Sequence, residues 1–212
     1  MSNTAAIASI LLALLIGAMS PGPSFVLVVR NAIGLSRRNG IATALGMGLG
    51  GMLFSAAALA GLYSLLTTVP VLYITFKIVG GAYLIYIAAK IWRSAHAPMT
   101  MENPETHRPR GFFHSFGVGV GTQLSNPKTA IFYSSIFASL LPAHPSFWSY
   151  VMLPPLIFII EAGWYTLVAL CFSTQRPRGL YLRSKVMIDR LAAGAMAALG
   201  LHLILSACGV KV

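Results

Sequence analysis

Gln123-Leu124-Ser125-Asn126-Pro127-Lys128-Thr129 interrupts an otherwise apolar stretch over residues 112–141. A proline inside a helix removes a backbone donor, and its ring clashes with the carbonyl four residues back. The helix must therefore kink or break at Pro127. Asn126 and Lys128 put polarity and a charge in the same place, which is expensive if the stretch lies in a membrane. A second interruption, Ser20-Pro21-Gly22-Pro23-Ser24, divides the first apolar stretch, residues 5–29. Two broken apolar helices in one small chain are the feature to be explained.

The length of 212 residues would suit one or two soluble domains, but 57% of the residues are hydrophobic and only 9% are charged. Apolar runs of roughly 18 residues argue for membrane-spanning helices instead. The reading is an all-α polytopic membrane protein with six transmembrane helices over residues 5–29, 41–65, 71–92, 112–141, 147–172 and 191–209, the first and fourth broken by the proline motifs. The N-terminus resembles a secretory signal, with an apolar run over 5–17 before Ala18-Met19-Ser20. However, Ser2-Asn3-Thr4 carries no basic residue and apolar character resumes over 25–29, so it reads as a retained first span. Cys171 and Cys208 have no CxxC spacing and fall toward opposite membrane faces, as buried apolar residues rather than a disulfide.

A net charge of +11 raises the question of an acidic partner. No basic, aromatic-interleaved face and no DNA-binding motif is present, so nucleic acid is not expected. The cations instead cluster after alternate spans: Arg30, Arg37 and Arg38; then Lys90, Arg93, Arg108 and Arg110; then Arg176, Arg178, Arg183, Lys185 and Arg190. Only Lys211 falls on the other side. Cationic loops are retained in the cytoplasm, where anionic lipid attracts them. Both termini are thus expected outside an inner (plasma) membrane that the chain crosses several times. The polar, proline-containing segment 94–111 links a first half, 1–93, to a second, 112–212, within one transport domain.

The halves correspond. An offset of 105 residues sets Ser20 on Ser125, Ser24 on Thr129 and the Pro-Gly-Pro break on Asn-Pro-Lys. With three spans in each half, the second runs inverted relative to the first, a 3+3 inverted repeat. Paired interruptions in inverted halves point to a transporter binding site. Half-helix N-termini favour a carboxylate and C-termini a cation, so a zwitterionic amino acid suits such a gap. Ser20, Pro21, Gly22, Pro23, Ser24, Gln123, Ser125, Asn126, Pro127, Lys128 and Thr129 are the candidate substrate-binding residues. The competing reading is that the prolines only kink helices for packing.

Lys128 falls roughly 24 Å along the fourth span and Glu161 roughly 18 Å along the fifth, each from its cytoplasmic end. Lys128 is assigned to a substrate carboxylate. Glu161, the only acid expected inside the membrane, is assigned to a proton or an ammonium group. The alternative is a structural ion pair between the two. Lys77 reads as snorkelling outward, and His114 and His202 as packed or interfacial. His96, Met99, Met101 and His107 lack regular ligand spacing, so no metal is expected. No nucleophile–base pair or phosphate loop marks a catalytic residue, and no cofactor is implied.

At these residues the chain resembles the LysE/RhtB family of amino-acid exporters. The matching pieces are Ser20-Pro21-Gly22-Pro23, Gly80-Gly81-Ala82-Tyr83-Leu84 with Ile85-Tyr86, and Asn126-Pro127-Lys128. Glu161 to Trp164 and Leu199-Gly200-Leu201 support them. The resemblance implies a small inner-membrane exporter of amino acids or derivatives, driven by proton antiport, with a homodimer as the suggested assembly. Ser24 stands where relatives often have Asn, and Leu141-Pro142-Ala143 replaces the family's Pro-Gln-Phe, departures that bear on substrate identity. The expected function is a secondary transporter of a small zwitterionic substrate. The alternatives are a membrane-embedded enzyme or redox protein with an interfacial cavity, and a passive channel.

Overall fold

Each proline motif starts a new helix. A computed structural model of the chain describes residues 3–20, 22–68, 70–97, 111–141, 145–173 and 175–209. Helix α1 (Asn3–Met19) ends before the first break and α2 (Pro23–Gly34) begins after it. Helix α5 (Phe112–Leu124) ends before the second break and α6 (Pro127–Leu140) begins after it. Pro23 and Pro127 each occupy the first turn of the new helix. A missing N–H costs nothing there, and the fixed φ suits helix. Pro21, the linker residues 98–110 and residues 142–144 lie outside the described residues.

The remaining elements are α3 (Arg37–Thr68), α4 (Pro70–Ser94), α7 (Phe147–Phe172) and α8 (Gln175–Ala207). The chain is helical, with no strand among the described residues. Ser36 caps α3: its hydroxyl accepts from the Asn39 N–H at 3.1 Å and donates to Asn39 Oδ1 at 2.9 Å, satisfying an orphan donor of the first turn. Arg37–Gly61, Phe147–Phe172 and Arg183–Ala207 are long and apolar enough to cross a membrane among the described residues. The α1–α2 pair, bent by 58°, makes a fourth such span if counted as one broken crossing.

One expected boundary fails. The sixth span was expected to begin at Leu191 after a basic loop, whereas α8 is helical from Gln175. Lys185 and Asp189, four residues apart, form a 2.8 Å ion pair on its buried face, while Arg183 and Arg190 on the same helix are exposed. Pairing on one face and solvation on the other let the helix run through a charged stretch. Glu161 is therefore not the only buried acid, since Asp189 is 2% exposed within the apolar α8 segment.

Glycines set the helix spacing. Gly46 of α3 faces the Phe116 carbonyl and Val120 of α5, and Gly48 faces Ala162 and the Phe158 carbonyl of α7. Helix α3 is thus close to α5 on one side and to α7 on the other. Helices α4 and α8 cross at Gly81 and Gly200, where a Cβ on either would come within 2.6 Å of the other's carbonyl oxygen. Small residues permit such backbone approach inside membranes, where packing rather than water exclusion drives association. Two apolar clusters result. One gathers Leu14, Phe132, Tyr133 and Ile157, and the other Ala18, Phe25, Met47 and Tyr165. The helix breaks lie between them.

Candidate functional site

The breaks come together through a directed chain of hydrogen bonds. The Asn126 side-chain amide donates to Ser24 Oγ at 3.1 Å, Ser24 Oγ donates to Gln123 Oε1 at 2.6 Å, and Gln123 Nε2 donates to Glu161 Oε2 at 2.8 Å. One polar line thus joins the first turn of α2, the last turn of α5, the cap of α6 and the middle of α7. When Glu161 is ionised its carboxylate can only accept, and this sets the direction of the bonds back through Gln123 and Ser24 to Asn126. All four side chains are buried, so each polar group satisfies its neighbour where water would otherwise be needed.

The glycines of α3 make the last bond possible. A Cβ on Gly50 would lie 2.6 Å from Gln123 Cβ, and a Cβ on Gly51 would collide with the Glu161 carboxylate and come within 2.7 Å of the Tyr133 hydroxyl. Gly50 and Gly51 therefore leave the room in which α5 and α7 bring Gln123 and Glu161 together.

A cavity of about 30 Å³ opens beside this line. Its polar wall holds Ser20, Ser24, Gln123, Asn126, Lys128, Thr129 and Glu161, with the Tyr133 hydroxyl beside the carboxylate. Its apolar wall includes Leu14, Phe25, Phe132 and Tyr165. The Phe132 ring occupies the space over Gly17, where a Cβ would overlap it. The volume admits water but is too small for an amino acid.

Lys128 faces the first break: its Nζ would be 3.4 Å from a Cβ built on Gly22. Lys128 and Glu161 line the same cavity without an ion pair, and among the described residues Lys185–Asp189 is the pair that forms. The Lys128 backbone N–H donates to Asn126 Oδ1 at 3.0 Å, an N-cap for α6. The Ser20 hydroxyl is buried in the cavity wall with no hydrogen-bond partner among the described residues. At the end of α1, the Trp164 indole N–H donates to the Ala18 carbonyl at 3.1 Å, satisfying an acceptor that the break frees.

Of the residues singled out from sequence, Ser20, Gly22, Ser24, Gln123, Asn126, Lys128, Thr129 and Glu161 line the cavity. Pro23, Ser125 and Pro127 are exposed and do not; the two prolines shape the helix starts. The sequence reading missed Phe132, Tyr133 and Tyr165. A helical count of one turn from Thr129 and from Glu161 would have reached them. It also missed Asp189, whose signal was the spacing of four from Lys185. Among the described residues no cluster of three metal-ligating side chains exists, and Cys171 and Cys208 are unbridged.

The model of the family described as LysE type translocator matches residues 15–207. The threonine efflux protein of Escherichia coli (strain K12) is 29% identical over 91% of this chain and 94% of its own length. An uncharacterized membrane protein of the same strain, YahN, is 30% identical over 87% of this chain and 82% of its own. A leucine efflux protein of Salmonella choleraesuis is 31% identical over 57% of this chain and 56% of its own. No solved structure matches.

Proposed function

Because the chain belongs to the LysE type translocator family, we propose that it exports amino acids or related small zwitterions across the inner (plasma) membrane by proton antiport. Two of the relatives are named a threonine efflux protein and a leucine efflux protein. The observation that carries the reading is the cavity where both helix breaks meet a lysine and a carboxylate on opposite elements.

The carrier is a six-span protein of two inverted halves, residues 1–93 and 112–212, joined by 94–111, with both termini outside. In support, each half breaks its first span before a proline-started helix. Corresponding helices also touch, α3 with α7 and α4 with α8, an arrangement that suits a pseudo-twofold axis in the membrane plane.

In this mechanism the Lys128 ammonium, the Ser24 N–H of α2 and the Thr129 N–H of α6 hold the substrate carboxylate. Ser20 and Thr129 complete its shell. The substrate ammonium faces Glu161. A proton and an ammonium group then compete for one carboxylate, and this exclusion is the coupling of antiport. Protonation also reverses what Glu161 can offer, because a carboxylic acid donates where a carboxylate only accepts. The Gln123 amide would turn, and the line through Ser24 to Asn126 would carry the change to both breaks. Phe132 must leave Gly17 for an amino acid to fit, so its movement accompanies loading.

Proteoliposomes loaded with threonine, leucine or other amino acids, under an imposed pH gradient, test the reading. Saturable, gradient-driven flux with counterflow is expected, and counterflow separates a carrier from a channel. Glu161→Gln should lose the response to the gradient. Absence of flux for every amino acid refutes export, and an unchanged pH response in Glu161→Gln refutes the coupling.

A further inference from the structure

The facing ends of α4 and α8 carry cations that transport leaves without a task. The acid in this region is turned inward: Asp189 pairs with Lys185, whose Nζ also donates to the Ala95 carbonyl at 3.0 Å and the Ser94 carbonyl at 3.5 Å. That buried contact ties α8 to the end of α4. On the outside, Arg183 and Arg190 of α8 are exposed, and among the described residues neither has an acidic partner.

Arg190 is held in place by Trp92 and His96. Its guanidinium sits 5.3 Å from the centroid of the Trp92 ring, and one of its nitrogens donates to His96 Nε2 at 3.0 Å. A guanidinium stacked on indole keeps its remaining donors free and has less rotamer freedom to lose on binding. Between Arg190, Arg183 and Trp92 runs an open groove of about 460 Å³, whose other walls are Val186, Met187 and Leu191. Among the described residues, the stretch of α8 long and apolar enough to cross a membrane is Arg183–Ala207, and both arginines lie within its first eight residues. Trp92, in the last turn of α4, is a residue type that collects at membrane–water boundaries. The groove therefore has cations at headgroup level and an apolar wall along the helix.

We propose that this groove binds an anionic phospholipid, with its phosphate on Arg183 and Arg190 and its acyl chains along Val186, Met187 and Leu191. Arginine forks match phosphate oxygens in pairs, and basic pockets between membrane helices suit such headgroups. A second copy of this strongly basic chain would bring like charge against like. Because the groove is built from Trp92 on one helix and two arginines on the other, the lipid bridges α4 and α8, whose buried link is Lys185 donating to the Ser94 and Ala95 carbonyls.

The full chain, purified in detergent, would be titrated with phosphatidylglycerol, phosphatidylcholine and inorganic phosphate, and followed by native mass spectrometry and thermal unfolding. Phosphatidylglycerol should stay bound and raise Tm, with phosphatidylcholine and free phosphate doing neither. Arg183→Gln/Arg190→Gln should weaken phosphatidylglycerol binding on the order of tenfold, whereas Arg37→Gln/Arg38→Gln at the start of α3 should leave it unchanged. Arg183→Lys/Arg190→Lys keeps the charge and should still lose affinity, because the fork is gone. Equal binding of the two lipids, displacement by inorganic phosphate, equal losses in both glutamine variants, or full retention in the lysine variant would each overturn the site.

Discussion

At the first break, α2 starts on Gly22, which has no side chain to cap it; at the second, α6 starts on Asn126, whose side chain caps it and reaches across to Ser24. Gly22 has φ −147° and ψ −175°, extended backbone that any residue adopts, so glycine is not there for conformation. The Lys128 ammonium lies against its bare backbone, where a Cβ would come into ordinary contact with it at 3.4 Å. The second break thus supplies charge and hydrogen bonds, and the first supplies bare backbone for them to face. Two interruptions that align in sequence have divided the work of one site between them.

The sharpest way to break that division is to remove the charge. Lys128→Met should raise the KM for export at least about 30-fold, the lower end of the ~2–5 kcal/mol that losing a buried charge partner costs. The fold should persist, as a thermal melt of the purified protein would check. A KM close to wild type would mean that the second break does not supply the anion site.

The next effect concerns α3, which holds the breaks against α7. Gly51→Ala forces a methyl onto Glu161 and Tyr133, an overpacking of roughly 1–3 kcal/mol. Export should fall and Tm should drop. Gly61→Ala on the same helix has open space around it and should be neutral or slightly stabilising. Equal behaviour of the two variants would remove close approach as the reason for Gly51.

The smallest effects compare the caps directly. Asn126→Ala should cost about 1 kcal/mol in thermal unfolding, and somewhat more because Ser24 loses a partner. Gly22→Ala removes no side-chain cap. It should cost roughly 0.5–1 kcal/mol, because glycine outranks alanine at an N-cap, still less than Asn126→Ala, and its methyl, at 3.4 Å from Nζ, should shift the KM only slightly. If Gly22→Ala destabilises as much as Asn126→Ala, the breaks are equivalent and the contrast fails.

Much of this site was legible because its signals are local. Pro23 and Pro127 mark helix starts by their own stereochemistry, and Asn126 is a cap type in the cap position. Glu161 stands out as an acid in an apolar run. Phe132, Tyr133 and Tyr165 lay within a turn of Thr129 and Glu161, but their residue type did not mark them, since aromatic residues on an apolar helix look alike whether they face lipid, core or cavity. Gly51 was visible as one of several glycines in α3, but nothing in its neighbourhood named Glu161 as what it accommodates. Asp189 was hidden by the cations around it, which resemble a loop until the i,i+4 pair with Lys185 is seen on a helix.

The sequence by itself determined the class of molecule, the two break points and most of the polar residues beside them. Hydrophobic runs, prolines and caps act through chemistry within a few residues. Only the tertiary structure decided that Glu161 bonds Gln123 rather than pairing with Lys128, that Lys128 faces Gly22, and that Phe132 fills the space over Gly17. Each of these depends on how closely α1, α3, α5, α6 and α7 approach. That spacing is set by glycines and bulky side chains acting across some 70 to 115 residues of chain, such as Gly51 on Glu161 and Gly17 on Phe132, where no local pattern carries the information.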